Sequence, residues 1–445
     1  MSGLPAKRMG NYSAMKKGTL SFCLICIFII YMHFEGFIKL YFDYHYLAHG
    51  FKYIFSFAFF SIWMFKIGFP KNKGTWPVLA VFSLVTLQFL NPLMWEGQGH
   101  ILSVIGALYY VAYLPLFFIC YKTFDLNRTK IILYLILALV TFSAIVAHYQ
   151  HHVGWRVYVH QLPWKLAISS GWNDPEWISL RNFVFHGPLA FDVKPPRYWY
   201  VAGFVILLMF LFSFSLKKTI YPFYVLLALN SAMALWLSGY RFAILGTLIG
   251  VIIILAANIS VVVKRVKVYQ IIIGLFVIVI STISIISYVG TGGEGGTYNI
   301  GRYQRMINPV AEYINQRGYT WNCLVKNAIN FPLGIGLRAG AHITDQSYRV
   351  SSLPVAVGDN WLLTVSAEVG ILAFFSVIWI YVVAARQFIT NLFALDGLKR
   401  SISIGCFAML IIFVFEVGFL PGEGPSYWMF WLFLGILFKL NKMQE

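Results

Sequence analysis

The chain has 445 residues, of which 59% are hydrophobic, 18% aromatic and only 11% charged. A soluble globular domain carries about 25% charged residues, so this composition excludes one and places the chain in lipid. The formal net charge of +18 does not point to nucleic acid, because the basic residues stand between apolar runs rather than in one domain-sized patch.

A helix of roughly 20 apolar residues spans a bilayer. Twelve such runs follow one another, over about 18–38, 51–69, 76–92, 101–121, 130–149, 197–216, 220–237, 241–262, 268–289, 359–385, 401–419 and 426–440. The expectation is an all-α polytopic membrane protein of about 12 transmembrane helices, with 76–92 and 426–440 the short ones. The first run continues past signal-peptide length without a small-x-small cleavage site, so it is expected to stay as the first helix. Cys23 and Cys26 form a C-x-x-C pair inside that run, but no strand–helix context surrounds them, and the five scattered cysteines define neither a disulfide framework nor a metal site.

Lys and Arg in the connections set the orientation. With the N-terminus inside, every cytoplasmic connection is basic, from Lys16 and Lys17 through Lys66, Lys71 and Lys73 to Lys439 and Lys442. Among the short outer links, Lys39 and Lys52 are the exceptions. Both termini are therefore expected in the cytoplasm. The chain then divides into five helices over 1–149, an outer loop over 150–196, helices six to nine over 197–289, a large outer loop over 290–358, and the last three helices with the C-terminus over 359–445. Trp155, Trp164, Trp172 and Trp177 give the first loop an interfacial or sugar-contacting character. The second opens on TGGEGG and continues into a stretch able to form short amphipathic helices.

Ionisable groups inside a membrane protein are costly to place and are functional candidates. Glu35, His100, His148, Arg197, Arg241, Asp359, Glu368 and Glu416 lie near the outer boundary of the expected spans, which directs any site to the outer face. Salt bridges between helices are the structural reading of Glu35 and Glu416. Glu368 is expected to anchor a neighbouring helix, because nine residues separate it from Asp359 and put it on the opposite side of a helix.

Three segments stand out. LSGYRFAILG (237–246) opens a helix at Arg241 after a Ser-Gly turn; GRYQR (301–305) is followed by the turn-forming NFPLGIGL (330–337); and DNWLLTVSAEVGILA (359–373) opens a long helix at Asp359, where an Asp can also serve as an N-cap. In this order and on this topology they resemble the O-antigen ligase and O-antigen polymerase superfamily of bacterial inner-membrane glycosyltransferases, over roughly 235–375. The ligase branch has a His followed by Asn, Ser or Gln, nine residues and Gly-x-x-Gly. Asn360, Gly370 and Ala373 keep that frame here, with Asp359 in the place of the His.

The resemblance implies a multi-pass protein of the bacterial inner membrane whose outer loops are periplasmic. Its implied activity is polymerisation of undecaprenyl-diphosphate-linked oligosaccharide repeat units into O-antigen or exopolysaccharide. The alternative within the class is a ligase moving a lipid-linked glycan to lipid A core or protein. Such chemistry deprotonates an acceptor hydroxyl and stabilises a departing diphosphate, with no cofactor and no metal required. Arg241, Arg302, Arg305 and Arg338 are the candidates for the diphosphate, since the guanidinium fork binds phosphate oxygens bidentately. Asp359 is the candidate base beside Asn360, and His342 and His186 are the alternative bases. Implied partners are the lipid-linked oligosaccharide, the bilayer and other polysaccharide assembly proteins, and not nucleic acid. A lipid-linked-sugar transporter would share the helix count, but transporters of that plan have pseudo-symmetric halves and a substantial link between helices six and seven. Here no internal repeat is visible and that link is a few residues around Lys217 and Lys218.

Overall fold

A computed structural model describes residues 6–41, 46–92, 100–153, 197–213, 220–237, 241–258, 322, 324–337, 361–415 and 427–443. Among these every regular element is helical. In chain order they are α1 (Ala6–Tyr41), α2 (Tyr46–Ile62) running into a π-helical turn (Trp63–Ile67), and α3 (Thr75–Leu87) ending in a 3-10 turn (Gln88–Leu90). There follow α4 (His100–Val111), α5 (Pro115–Thr123), α6 (Leu126–Val153), α7 (Arg197–Phe212), α8 (Tyr221–Leu237) and α9 (Arg241–Ala257). The last group is α10 (Trp361–Glu368), α11 (Ile371–Ala394), α12 (Gly397–Phe415) and α13 (Tyr427–Lys439).

Five stretches, in α1, α2 with its π turn, α6, α11 and α12, are long and apolar enough to cross a membrane. α3, α7, α8 and α9 are apolar but shorter within the described residues. The described residues do not establish about 12 spans. The run at 268–289 lies outside them, and two of the expected continuous helices are broken. The run at 101–121 is interrupted at 112–114, where Pro115 cannot donate a backbone hydrogen bond and instead begins α5. The run at 359–385 is interrupted at Val369 and Gly370, between α10 and α11. The long loops 150–196 and 290–358 lie largely outside the described residues; within the second, 324–330 is helical.

α13 is the centre of the bundle. Its residues from Tyr427 to Phe438 are all buried, as expected for a helix that is apolar on every side. Thirteen residues are too few to span a bilayer unaided, but this helix is enclosed by α5, α11 and α12 rather than by lipid. In lipid, helices associate through close packing and polar contacts rather than hydrophobic exclusion of water. Both occur here. Gly435 lets α13 lie directly on α5, where a Cβ would stand 2.8 Å from the Phe117 carbonyl oxygen. The amide of Asn391 on α11 donates to the Leu437 carbonyl of α13 at 2.9 Å and to the Ser403 hydroxyl of α12 at 3.1 Å. Phe28 of α1 packs edge-on against Phe59 of α2 and Trp428 of α13, joining the N-terminal helices to the centre.

Basic residues gather at one end of the bundle. Lys442 reaches the Tyr121 hydroxyl, Lys399 the Met443 carbonyl, and Arg400 the Ala257 carbonyl at the end of α9, where a cation complements the helix dipole. The connections expected on the cytoplasmic side thus converge. Lys52, an exception to the charge pattern, has its ammonium 3.8 Å from Glu35, so that cation is matched by an acid on the neighbouring helix. His33, two residues before Glu35 on α1, is buried with its Nε2 2.8 Å from the Ser143 hydroxyl of α6 and its ring edge-on to Trp199 of α7.

Candidate functional site

The segment PLGIGL (332–337) and the break between α10 and α11 form one unit. The Ile335 amide donates to the Ala367 carbonyl at 2.9 Å and the Gly336 amide to the Glu368 carbonyl at 3.1 Å. The Ile371 amide, the first of α11, donates to the Pro332 carbonyl at 3.0 Å. Two segments more than 30 residues apart in sequence are therefore laced by backbone hydrogen bonds on both sides of the helix interruption.

Glycine is required where they meet. Gly370 adopts φ 103° and ψ 167°, a conformation essentially confined to glycine, and a Cβ there would lie 2.6 Å from the Pro332 carbonyl oxygen. Gly334 has φ 89°, and its missing Cβ leaves room for the Glu368 carbonyl. Each glycine supplies both the backbone angle and the space for the other strand of the contact.

An interrupted helix in an apolar setting frees carbonyls that need partners. Gln88, buried in the 3-10 turn after α3, supplies them: its Nε2 donates to the Leu333 carbonyl at 2.7 Å and to the Val369 carbonyl at 2.9 Å, one from each segment. Asn91 extends the clamp, donating to the Gly334 carbonyl at 2.9 Å and to the Gln88 Oε1 at 2.9 Å. On the other side of the break, the Tyr110 hydroxyl of α4 donates to the Glu368 carboxylate at 2.6 Å. Glu368 thereby ties α10 to a neighbouring helix, the role expected for it. The Leu337 carbonyl lies over Gly106 of α4, so α4 touches both segments.

Of the residues singled out from the sequence, Arg241 is the first residue of α9. Asp359, Asn360, Arg302, Arg305, Arg338, His342 and His186 lie outside the described residues. Arg338 directly follows Leu337 in the chain, and Asn360 directly precedes Trp361, so the laced unit carries one candidate at each of its ends in sequence. The clamp residues Gln88, Asn91 and Tyr110 were not anticipated. Gln88 and Asn91 had a signal, as amides in the otherwise apolar stretch LVTLQFLNPL, where an unmatched polar side chain is expensive.

No protein-family model and no curated protein matches the chain. The functional reading therefore stands on the segments themselves and on how they pack.

Proposed function

We propose that this protein is a metal-independent membrane glycosyltransferase that polymerises undecaprenyl-diphosphate-linked oligosaccharide repeat units at the periplasmic face of the bacterial inner membrane, with both termini cytoplasmic. The observation that carries this reading is the lacing of PLGIGL to the α10–α11 break. Two of the three segments that resemble the O-antigen polymerase and ligase superfamily are held in one unit by Gln88, Gly334 and Gly370. Discontinuous helices inside an apolar bundle commonly build binding sites; here the backbone groups at the break are bonded by PLGIGL and Gln88, so the lacing fixes the position of the two segments.

In this mechanism the acceptor hydroxyl oxygen attacks the anomeric carbon of the lipid-linked sugar while the bond from that carbon to the diphosphate oxygen breaks. Asp359 takes the hydroxyl proton, and undecaprenyl diphosphate departs with its negative charge held by Arg241 and by Arg302, Arg305 or Arg338. A ligase acting on lipid A core or protein is the second reading, favoured by the frame that Asn360 and Gly370 keep.

The glycan phenotype of a deletion strain tests the assignment. Lipid core capped by a single repeat is the outcome expected for a lost polymerase. Accumulation of long unattached polymer would instead identify a ligase, and unchanged polysaccharide would remove both readings.

A further inference from the structure

A second feature lies along α3, its lining starting at Trp76 and ending at Ser83, about 8 Å before Gln88 at 1.5 Å per residue. A cavity of about 480 Å³ opens between the π-helical turn, α3 and α11, within the size range of small-molecule sites. Trp63, Phe69, Trp76, Leu79, Phe82 and Trp379 form most of its lining, and Ala80 and Ser83 leave its length along α3 open.

Its wall is rigid. Trp63 is fully buried and stacked on Phe118 with ring centroids 4.6 Å apart, and it meets Phe69 and Phe82 edge-on at 5.5 Å each. The helix ends irregularly at this wall: a π turn carries Lys66, Gly68 donates back to the Trp63 carbonyl at 2.7 Å, and the connection to α3 is fixed by the Thr75 hydroxyl on the Pro70 carbonyl at 2.6 Å. π turns concentrate at functional sites.

Three lysines stand in the π turn and the connection that lead into α3, close in sequence to the lining residues Met64, Phe69 and Trp76. Lys66, Lys71 and Lys73 are exposed, and among the described residues none of them has a hydrogen bond or an ion pair. No Asp or Glu occurs anywhere from residue 44 to residue 95, so nothing in this part of the chain neutralises them. From Trp76 to Ser83 the groove follows α3 for about 10 Å away from the lysines, and every lining residue but Ser83 is apolar or aromatic. Exposed cations on the segments that lead into an apolar groove along α3 match a molecule with a phosphate at one end and a hydrocarbon chain behind it.

The geometry points to a binding site for one anionic phospholipid, with its acyl chain in the α3–α11 groove and its headgroup phosphate on Lys66, Lys71 and Lys73. The site goes beyond the glycosyltransferase reading and does not rest on it, since none of its lining residues belongs to the clamp or to the laced segments.

Native mass spectrometry of the full chain tests this, after exchange into micelles holding equal phosphatidylglycerol and phosphatidylcholine with identical acyl chains. One phosphatidylglycerol should be retained in preference by about tenfold or more, the scale set by several lysines acting on one headgroup. The combined variant Lys66→Gln/Lys71→Gln/Lys73→Gln should abolish the preference. Ala80→Phe, which fills the groove, should lower retention of both lipids, and Ser83→Phe at the exposed rim does the same where the first variant folds poorly. Equal retention of the two lipids by the unmodified chain, a preference that survives the triple substitution, or retention undiminished in both groove-filling variants would overturn the assignment.

Discussion

Gly334 and Gly370 approach so closely that a Cβ on Gly370 would stand 3.1 Å from the Gly334 amide nitrogen. The contact joins a loop segment to a helix break, and both backbones hold positive φ there. Alanine at Gly370 should therefore incur strain and collision together, more than about 3 kcal/mol in sum. Gly397 provides the control: its φ is 52°, yet a Cβ there would meet nothing within 4 Å. Gly397→Ala should bear only the conformational penalty, about 1–2 kcal/mol. Thermal unfolding of the detergent-solubilised variants checks the order, and equal losses would contradict the packing argument.

Gln88 satisfies one carbonyl from each laced segment with its two amide hydrogens. Gln88→Leu conserves size and strands both carbonyls in an apolar setting, with an expected loss of about 2–4 kcal/mol. Thr86 lies two residues earlier, exposed, and its hydroxyl bonds the Phe82 carbonyl of its own helix. Thr86→Val should change stability by less than about 0.5 kcal/mol. Limited proteolysis near Gly334 would report the same difference locally.

Tyr110 and Glu368 make unequal demands. Tyr110→Phe removes a donor from a buried carboxylate and should cost about 1–3 kcal/mol. Glu368→Gln leaves an acceptor for the Tyr110 hydroxyl and eliminates a buried charge, so it should cost less, or stabilise. Melting temperatures of the two single variants decide the ranking; a larger loss for Glu368→Gln would mean that the charge itself is needed.

The charge pattern predicts sidedness. Single cysteines at Trp172 and Tyr319 should react with a membrane-impermeant maleimide from the outer side, whereas cysteines at Lys217 and Arg265 should react only after the membrane is opened. Labelling of Tyr319→Cys from the cytoplasmic side alone would invert the proposed location of the site.

Arg241 and Asp359 carry the proposed chemistry in different ways. Arg241→Lys keeps the charge but loses the planar fork, and polymer extension should fall strongly at normal protein levels. Asp359→Asn preserves an N-cap hydrogen bond while removing basicity, so turnover of lipid-linked oligosaccharide should drop about 100-fold with donor binding retained. Extension at the unmodified rate by Asp359→Asn would refute the base assignment and direct attention to His342.

The apolar runs and the rarity of charge determine by themselves that the chain forms long lipid-compatible helices, because only a helix satisfies its own backbone in an apolar medium. Local chemistry also marks PLGIGL as a turn, through its proline and its spaced glycines. Hydropathy does not mark the interruption at Gly370, because Val369, Gly370 and Ile371 are as apolar as a continuous helix would be; the break exists only where Pro332 and Gln88 arrive to bond what it frees. The same limit explains α13. The run at 426–440 reads as one short span among twelve, and only the surrounding helices make α13 the buried centre. Lys52 likewise breaks the charge rule in sequence and is reconciled by Glu35 across a helix pair. Composition and periodicity are properties of one segment and can be read along the chain, whereas the clamp, the buried centre and the matched charge are relations between segments, fixed by which helices the tertiary fold sets side by side.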